Sequence, residues 1–298
     1  MKILDFGSCN IDYVYDVEHI VRPGETLVAG RLSKFPGGKG LNQAIAIAKA
    51  GAKVYLAGCV GTDDTMLRPI LEQAGVDVTN LLTVEEPTGH AIIQVNVQGE
   101  NSIVICRGAN GAVTEEYIDR VLGQFEEGDI LLLQNEISNL LYLIEKAVKK
   151  GMKIILNPSP FESMLKSIDL KDLYCVMLNE TEAMQWCDSQ NPYDFIEHVK
   201  AMYPELSVVL TLGENGSLYL RGGEVYKQAA YKVSVVDTTA AGDTFTGYFA
   251  AGIYKNMEIT EVLNYASAAA AITVSKKGAA SSIPAWDEVA ELVGKENV

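Results

Sequence analysis

Between residues 129 and 212 the chain alternates between short apolar runs and segments of helical period. Residues 129–134, 153–156, 175–178 and 208–212 are short apolar runs and read as strands. Residues 139–150 and 192–202 read as helices, the first closed by Gly151. Alternation of this kind calls for an α/β fold with a parallel sheet covered on both faces. In such sheets ligands bind beyond the carboxyl ends of the strands. Polar residues stand at those ends here: Asn135 and Glu136, Asn157, Asn179, and Thr211. Each alone is an ordinary turn residue, but together they point to one rim. Gathering the apolar strands into one sheet makes residues 1–298 one main domain.

The stretch 234–247 gives that rim a chemical purpose. It is expected to begin as a strand at Val233, Val235 and Val236, and to end as a helix in which Phe245, Phe249 and Ile253 share a face. Between them lie Ala240, Ala241 and Gly242, small enough for backbone N–H groups to converge. A helix starting there aims unpaired N–H groups and its positive end at an anion, most naturally a phosphate. Asp243 stands at the same spot. It reads either as a helix-start residue or as a base that takes a proton from a hydroxyl attacking a phosphoryl group. The positive helix end is expected to lower its pKa and keep it ionised.

The N-terminal part supplies a second glycine-led helix. Residues 2–8 read as a strand, followed by Asn10 and Asp12 on one face of an extended segment or in a turn. Gly37-Gly38-Lys39-Gly40 then opens a helix whose Leu41, Ala44, Ile45 and Ala48 form a buried stripe, ended by Gly51. This start lacks the spacing of a Walker A loop. Asn42, just inside, can offer its amide to sugar hydroxyls. Residues 54–61 and 76–82 read as strands around a helix at 66–75. Residues 13–35 and 88–107 are β-like and resemble neither neighbour. They read as a small separate sheet, either a lid that excludes water or a surface hairpin without a moving role.

Three later features stay open between chemistry and structure. Asn179 and Glu182 suit a hydrated Mg²⁺ near phosphates or a helix cap. Thr211 to Gly216 suits a nucleotide edge or a hairpin. Residues 260–275 form an alanine-rich helix, 276–282 a loop returning toward Asp243, and 288–293 a last helix.

Composition removes some classes of function. A formal net charge of −15 argues against a nucleic-acid surface. Five scattered cysteines without a C-x-x-C fit reduced thiols in a cytoplasmic protein. No signal pattern and no apolar run of membrane-spanning length is expected to matter. A nicotinamide dehydrogenase needs G-x-G-x-x-G after the first strand, which Phe6-Gly-Ser-Cys-Asn does not supply.

Gly37-Gly-Lys-Gly-Leu-Asn-Gln-Ala44 and Asp237-Thr-Thr-Ala-Ala-Gly-Asp-Thr-Phe245 resemble the two signatures of the PfkB family of carbohydrate kinases, in its ribokinase branch. The likeness runs over essentially the whole chain, including Gly7-Ser8-x-Asn10-x-Asp12, Asn179-x-x-Glu182 and Lys277-Gly278-Ala279. It implies a ribokinase-like fold: a central, mostly parallel sheet flanked by helices, with a small β-sheet lid often shared across a homodimer. It implies ATP-dependent phosphoryl transfer to the 5-hydroxymethyl of D-ribose or a closely related sugar. By this resemblance Asp243 is the base and Ala240, Ala241 and Gly242 the anion hole. Asn10, Asp12, Gly38, Lys39, Asn42 and Glu136 hold the sugar. Asn179, Thr211, Gly213, Gly216, Gly242 and the region of Ser267 contact ATP, and Glu182 organises Mg²⁺. A monovalent cation such as K⁺ falls to Asp237, Thr239, Thr273, Lys276, Gly278 and Ser282, mostly through backbone carbonyls. His90 and Cys106, beside the lid strands, are candidates to bias the choice of sugar. A nucleoside kinase of the same fold wants aromatic walls that the polar sugar-side stretches do not offer. A non-catalytic sugar sensor does not need Asp243 and Gly242.

Overall fold

The computed structural model describes residues 1–296. The chain forms β1 (Ile3–Phe6), β2 (Asn10–Asp16), β3 (Arg31–Gly37), α1 (Lys39–Lys49), β4 (Val54–Gly61), α2 (Leu67–Gln73) and β5 (Asp77–Val84). Next come β6 (Gly89–Val95), β7 (Asn101–Cys106), α3 (Glu115–Leu122), β8 (Ile130–Gln134), α4 (Leu140–Lys150) and β9 (Lys153–Asn157). There follow β10 (Cys175–Asn179), α5 (Glu180–Cys187), α6 (Tyr193–Met202), β11 (Ser207–Thr211), β12 (Ser217–Arg221) and β13 (Glu224–Gln228). The last helices are α7 (Ala241–Tyr254), α8 (Ile259–Val274) and α9 (Trp286–Glu296).

Nine strands make one sheet in the order β13-β12-β11-β10-β9-β8-β1-β4-β5. Every pairing from β11 to β5 is parallel, and β12 alone is reversed, pairing antiparallel with both β11 and β13. Alternate side chains feed two cores. Ile3, Leu56, Leu132 and Ile155 face the layer holding α1, α7 and α8. Leu4, Phe6, Leu133 and Leu156 face the layer holding α3, α4 and α6. The strands are short and buried on both faces, which is why they read as continuous apolar runs. Four further strands form a second sheet, β3-β2-β6-β7. It springs from the carboxyl end of β1, so its first residues, Asn10 and Asp12, stand at the rim of the main sheet.

The sequence reading missed α3 and the β12–β13 hairpin, and one expectation is overturned. Residues 229–240 form no strand before α7. Val235 and Val236 are 65% and 61% exposed, and the N–H groups of Val236 and Asp237 both go to the Val274 carbonyl at the end of α8. The segment has no sheet neighbour. It crosses the end of a helix, and its β-branched residues follow that contact and not their strand preference.

Candidate active site

Two helix N-termini face the same cleft. At the first, α1 follows Gly38, whose φ of 93° belongs to the left-handed region that glycine tolerates. A methyl on Gly40 would meet the Gly7 carbonyl carbon at 2.5 Å and Cα at 2.6 Å, so β1 and α1 touch through their backbones. At the second, α7 follows Ala240, a non-glycine residue at φ 60°. Neither start has a side-chain cap. The N–H groups of Gly242 and Asp243 have no backbone acceptor outside their helix, and space around Gly242 is open.

Asp243 lies between these two helix starts, with one face open to the cleft. Its Oδ2 accepts from Asn42 Nδ2 at 3.0 Å and its Oδ1 from Gln43 Nε2 at 2.9 Å. Burial holds its carboxyl above the ordinary carboxylate value, while Lys39, Gln43 and Asn42 pull it down and Glu136 pushes it up. The expected lowering by the helix end is therefore corrected: removal from water outweighs the favourable neighbours. Asn42 also differs from expectation. Its amide nitrogen donates to Asp243, and its Oδ1 is buried without a partner among the described residues.

The sugar-side residues come together around Lys39. Its Nζ lies 3.7 Å from Glu136 Oε1, and its backbone N–H donates to Glu136 Oε2 at 3.2 Å. Ser8 Oγ donates to the same Oε2. Burial by itself lowers the ammonium pKa, but Asp243, Glu136 and Glu182 together raise it, so Lys39 stays charged. Asp12 has no hydrogen-bond partner among the described residues. Burial, with Glu136 and Asp243, pushes its carboxyl up to about 6 against the pull of Lys39. Asn10 is oriented by Asn110, whose Nδ2 donates to Asn10 Oδ1 at 2.8 Å and whose Oδ1 accepts from the Cys9 N–H at 3.0 Å. Asn110 was missed; its only signal in the sequence is an amide inside a Gly-Ala-rich turn.

His90 and Cys106 do not join this group. They pair with each other, and His90 pairs with Ile11, whereas Asp12 pairs with Ala91 and Phe35. Alternation along the strands puts them on the opposite face of the small sheet.

On the other side of Asp243, two cavities abut. One of ≈ 190 Å³ is bounded by Lys39, Asn179, Glu182, Ala240, Gly242 and Asp243. The other, of ≈ 1140 Å³, is lined by Asn179, Thr211, Gly213, Gly216, Gly242 and Ser267, so the expected nucleotide residues share one space. Ser267 Oγ donates to the Ala229 carbonyl at 3.3 Å, which leaves its surface and not a free hydroxyl for the cavity. Thr211 to Gly216 takes the hairpin form, with Thr211 paired to Ser217, while its glycines line the cavity. Glu182 forms a capping box with Asn179, each backbone N–H donating to the other's side chain at 2.9 Å. The capping alternative is therefore realised, and the carboxylate still borders the smaller cavity.

The loops proposed for a monovalent cation are pinned together. Asp237 accepts from the Thr239 N–H and, through Oδ2, from the Gly278 N–H at 2.9 Å. The Thr273 hydroxyl is buried against Thr244, that of Ser282 goes to the Ala279 carbonyl, and Lys276 reaches Glu288.

Residues 2–286 match the pfkB family carbohydrate kinase. The chain is 37% identical over 300 residues to the ribokinase of Haemophilus influenzae, covering 96% of each. The crystal structure of ribokinase from Thermotoga maritima superposes with a TM-score of 0.89 at 35% identity, covering 99% of both chains. The Arabidopsis thaliana ribokinase, solved with ribose and ATP, superposes with a TM-score of 0.86 at 30% identity, covering 98% of both chains.

Proposed function

We propose, from the fact that this chain belongs to the pfkB family of carbohydrate kinases, that it transfers the γ-phosphoryl group of ATP to the 5-hydroxyl of D-ribose. The chain is a kinase, a phosphotransferase with an alcohol acceptor. The observation that carries the mechanism is Asp243, gripped by Asn42 and Gln43 at the open start of α7. The sugar lies among Asn10, Asp12, Gly38, Lys39, Asn42 and Glu136. Asp12 and Glu136 accept from its hydroxyls. The triphosphate runs from the larger cavity into the smaller one, toward Lys39 and the start of α7, where the Gly242 N–H is open and that of Ala241 rests on the Thr238 carbonyl at 3.3 Å.

The sugar oxygen forms a bond to the γ-phosphorus as the bond to the bridging oxygen breaks. Its proton passes to Asp243, and ADP leaves with the electron pair. The raised pKa makes Asp243 a better proton acceptor than a solvated carboxylate. The open N–H groups at α7 stabilise charge developing on the phosphoryl oxygens. Mg²⁺ neutralises phosphate charge when bound, with Glu182 beside it. The Asp237 and Gly278 loops, joined by their own hydrogen bond, would hold K⁺ and so would firm the segment leading into the anion site.

The experiment is ADP release with D-ribose in wild type and Asp243→Asn, with ribose binding measured in parallel. We expect turnover to fall by about 10²–10⁴-fold with binding retained. Wild-type turnover in the variant removes the base from this reading.

The small sheet is read as a lid that also joins two copies. Its edges β3 and β7 are unpaired, and Phe35, Ile103 and Ile105 on the Asp12 face are 38%, 51% and 56% exposed. Light scattering at assay concentration is expected to give a dimer, and a monomer refutes the pairing. The free cysteines fit a reducing, cytoplasmic setting, and no helix among the described residues is long and apolar enough to cross a membrane.

A further inference from the structure

Strand β1 carries one residue that its layer does not call for. Ile3 and Asp5 point to the face on which α1 and α7 pack, and Leu4 and Phe6 to the other. The strand neighbours of Asp5 are Leu56 and Leu132. An apolar side chain suits that place, yet a fully buried carboxyl occupies it. Its Oδ1 accepts from Gln134 Nε2 at 2.9 Å, and its Oδ2 has no partner. The same Gln134 Nε2 donates to Gln43 Oε1 at 2.8 Å, and Gln43 Nε2 donates to Asp243 Oδ1 at 2.9 Å. Four side chains thus form one line from the centre of the sheet to the base.

A carboxamide fits either way round at little steric cost, so such a line has two polarities. Gln43 can show Asp243 its NH₂ or its carbonyl, and only the NH₂ serves an ionised carboxylate. Gln134 holds Gln43 in that sense by donating to Oε1. Asp5 holds Gln134, because a reversed Gln134 sets its oxygen against two acceptors at once. We propose that Asp5 is a positioning residue for the base: the acceptor that ends the line, fixing both amides so that Asp243 always meets an N–H. The inference rests on the reading of Asp243 as the base.

Asp5 acts as an acceptor and not as a charge. Burial raises its carboxyl well above the ordinary value, and the charge of Asp243 adds to this. The other titratable group near it, the Cys9 thiol, is likewise pushed up by burial. Around Asp243 stand Lys39, which lowers it, and Glu136, which raises it, with Asp12 beyond. None of these belongs to the line. Without Asp5 the amides turn freely, and the turned state stabilises protonated Asp243, whose O–H then donates to Gln43 Oε1.

The test is the pH profile of kcat with D-ribose and ATP. Asp5→Leu keeps the bulk and removes the acceptor. Its acid limb is expected to move to higher pH, with roughly a tenfold loss at the acid end and less than about twofold on the plateau. Asp5→Asn, which restores a carbonyl, is expected to bring the limb back. If Asp5→Leu does not fold, Gln134→Met cuts the same line and carries the same expectation. Superimposable profiles for wild type and the cut variants overturn the inference while leaving Asp243 as base. A limb moved to lower pH in Asp5→Asn also overturns it, since that is the mark of a charge removed. Full activity in Asp243→Asn overturns both.

Discussion

The starts of α1 and α7 look alike in sequence, both small-residue turns leading into buried helices, yet they use smallness for opposite ends. At α1 the glycines let backbones touch: Gly40 rests on Gly7 and Ser8, and Gly37 on the Asp12 carboxylate. The N–H groups there are spent inside the protein, Leu41 on the Ser8 carbonyl and Lys39 on Glu136. At α7 the small residues hold space open, and a methyl on Gly242 meets nothing within 4 Å. One start locks the sheet to its helix layer; the other, with the Ala241 N–H on the Thr238 carbonyl and no such partner for Gly242 or Asp243, is the one we propose for an anion. A glycine-rich turn is thus an anion site only where its N–H groups remain unspent.

Substitution of alanine at each start breaks the likeness most sharply. Gly40→Ala drives a methyl into the backbone of β1 and is expected to cost about 1–3 kcal/mol or more, read as a fall in thermal midpoint with loss of soluble protein. Gly242→Ala is expected to leave the midpoint near wild type, since alanine suits a helix, while raising the KM for ATP or lowering kcat by roughly tenfold. Equal midpoints in the two variants erase the distinction.

A smaller effect sharpens the sugar side of the comparison. Asp12 accepts sugar hydroxyls most strongly when ionised, and its carboxyl is pushed up to about 6 in the free site. Ribose affinity is expected to rise with pH through that value, by about tenfold from pH 5 to 7, and to flatten above it. Asp12→Asn is expected to abolish the slope, and a sloping profile in that variant assigns the titration elsewhere. The free protein loses a little stability over the same rise, because the folded state keeps a proton that the unfolded chain releases.

Much of this site was legible in the chain. Periodicity located the strands of the parallel sheet, and the rule that ligands sit past their carboxyl ends singled out Asn179 and Thr211 before any contact was known. The small residues before Asp243 announced an anion site, and their order with the Gly37 turn announced the family. The small sheet was visible as residues 13–35 and 88–107, which are β-like and resemble neither neighbour. Other residues left no such trace. Asp5 and Gln134 sit in strands and read as interruptions of apolar runs, and Gln43 reads as the polar edge of an amphipathic helix. Each gains meaning from a partner far along the chain: Gln43 and Asp243 are 200 residues apart, and Gln134 and Asp5 129 apart.

The sequence by itself determined the layered α/β architecture and the two small-residue helix starts, because these follow from local period and local backbone freedom. Tertiary structure alone decided the rest. It sent Val235 and Val236 across the end of α8 and not into a strand, and turned His90 and Cys106 away from the face of Asp12. It spent the Asn42 amide on Asp243 and raised that carboxyl where a helix end was expected to lower it. In each case the deciding quantity is which groups are removed from water together. That depends on how the layers close over the cleft, and no stretch of the chain carries it.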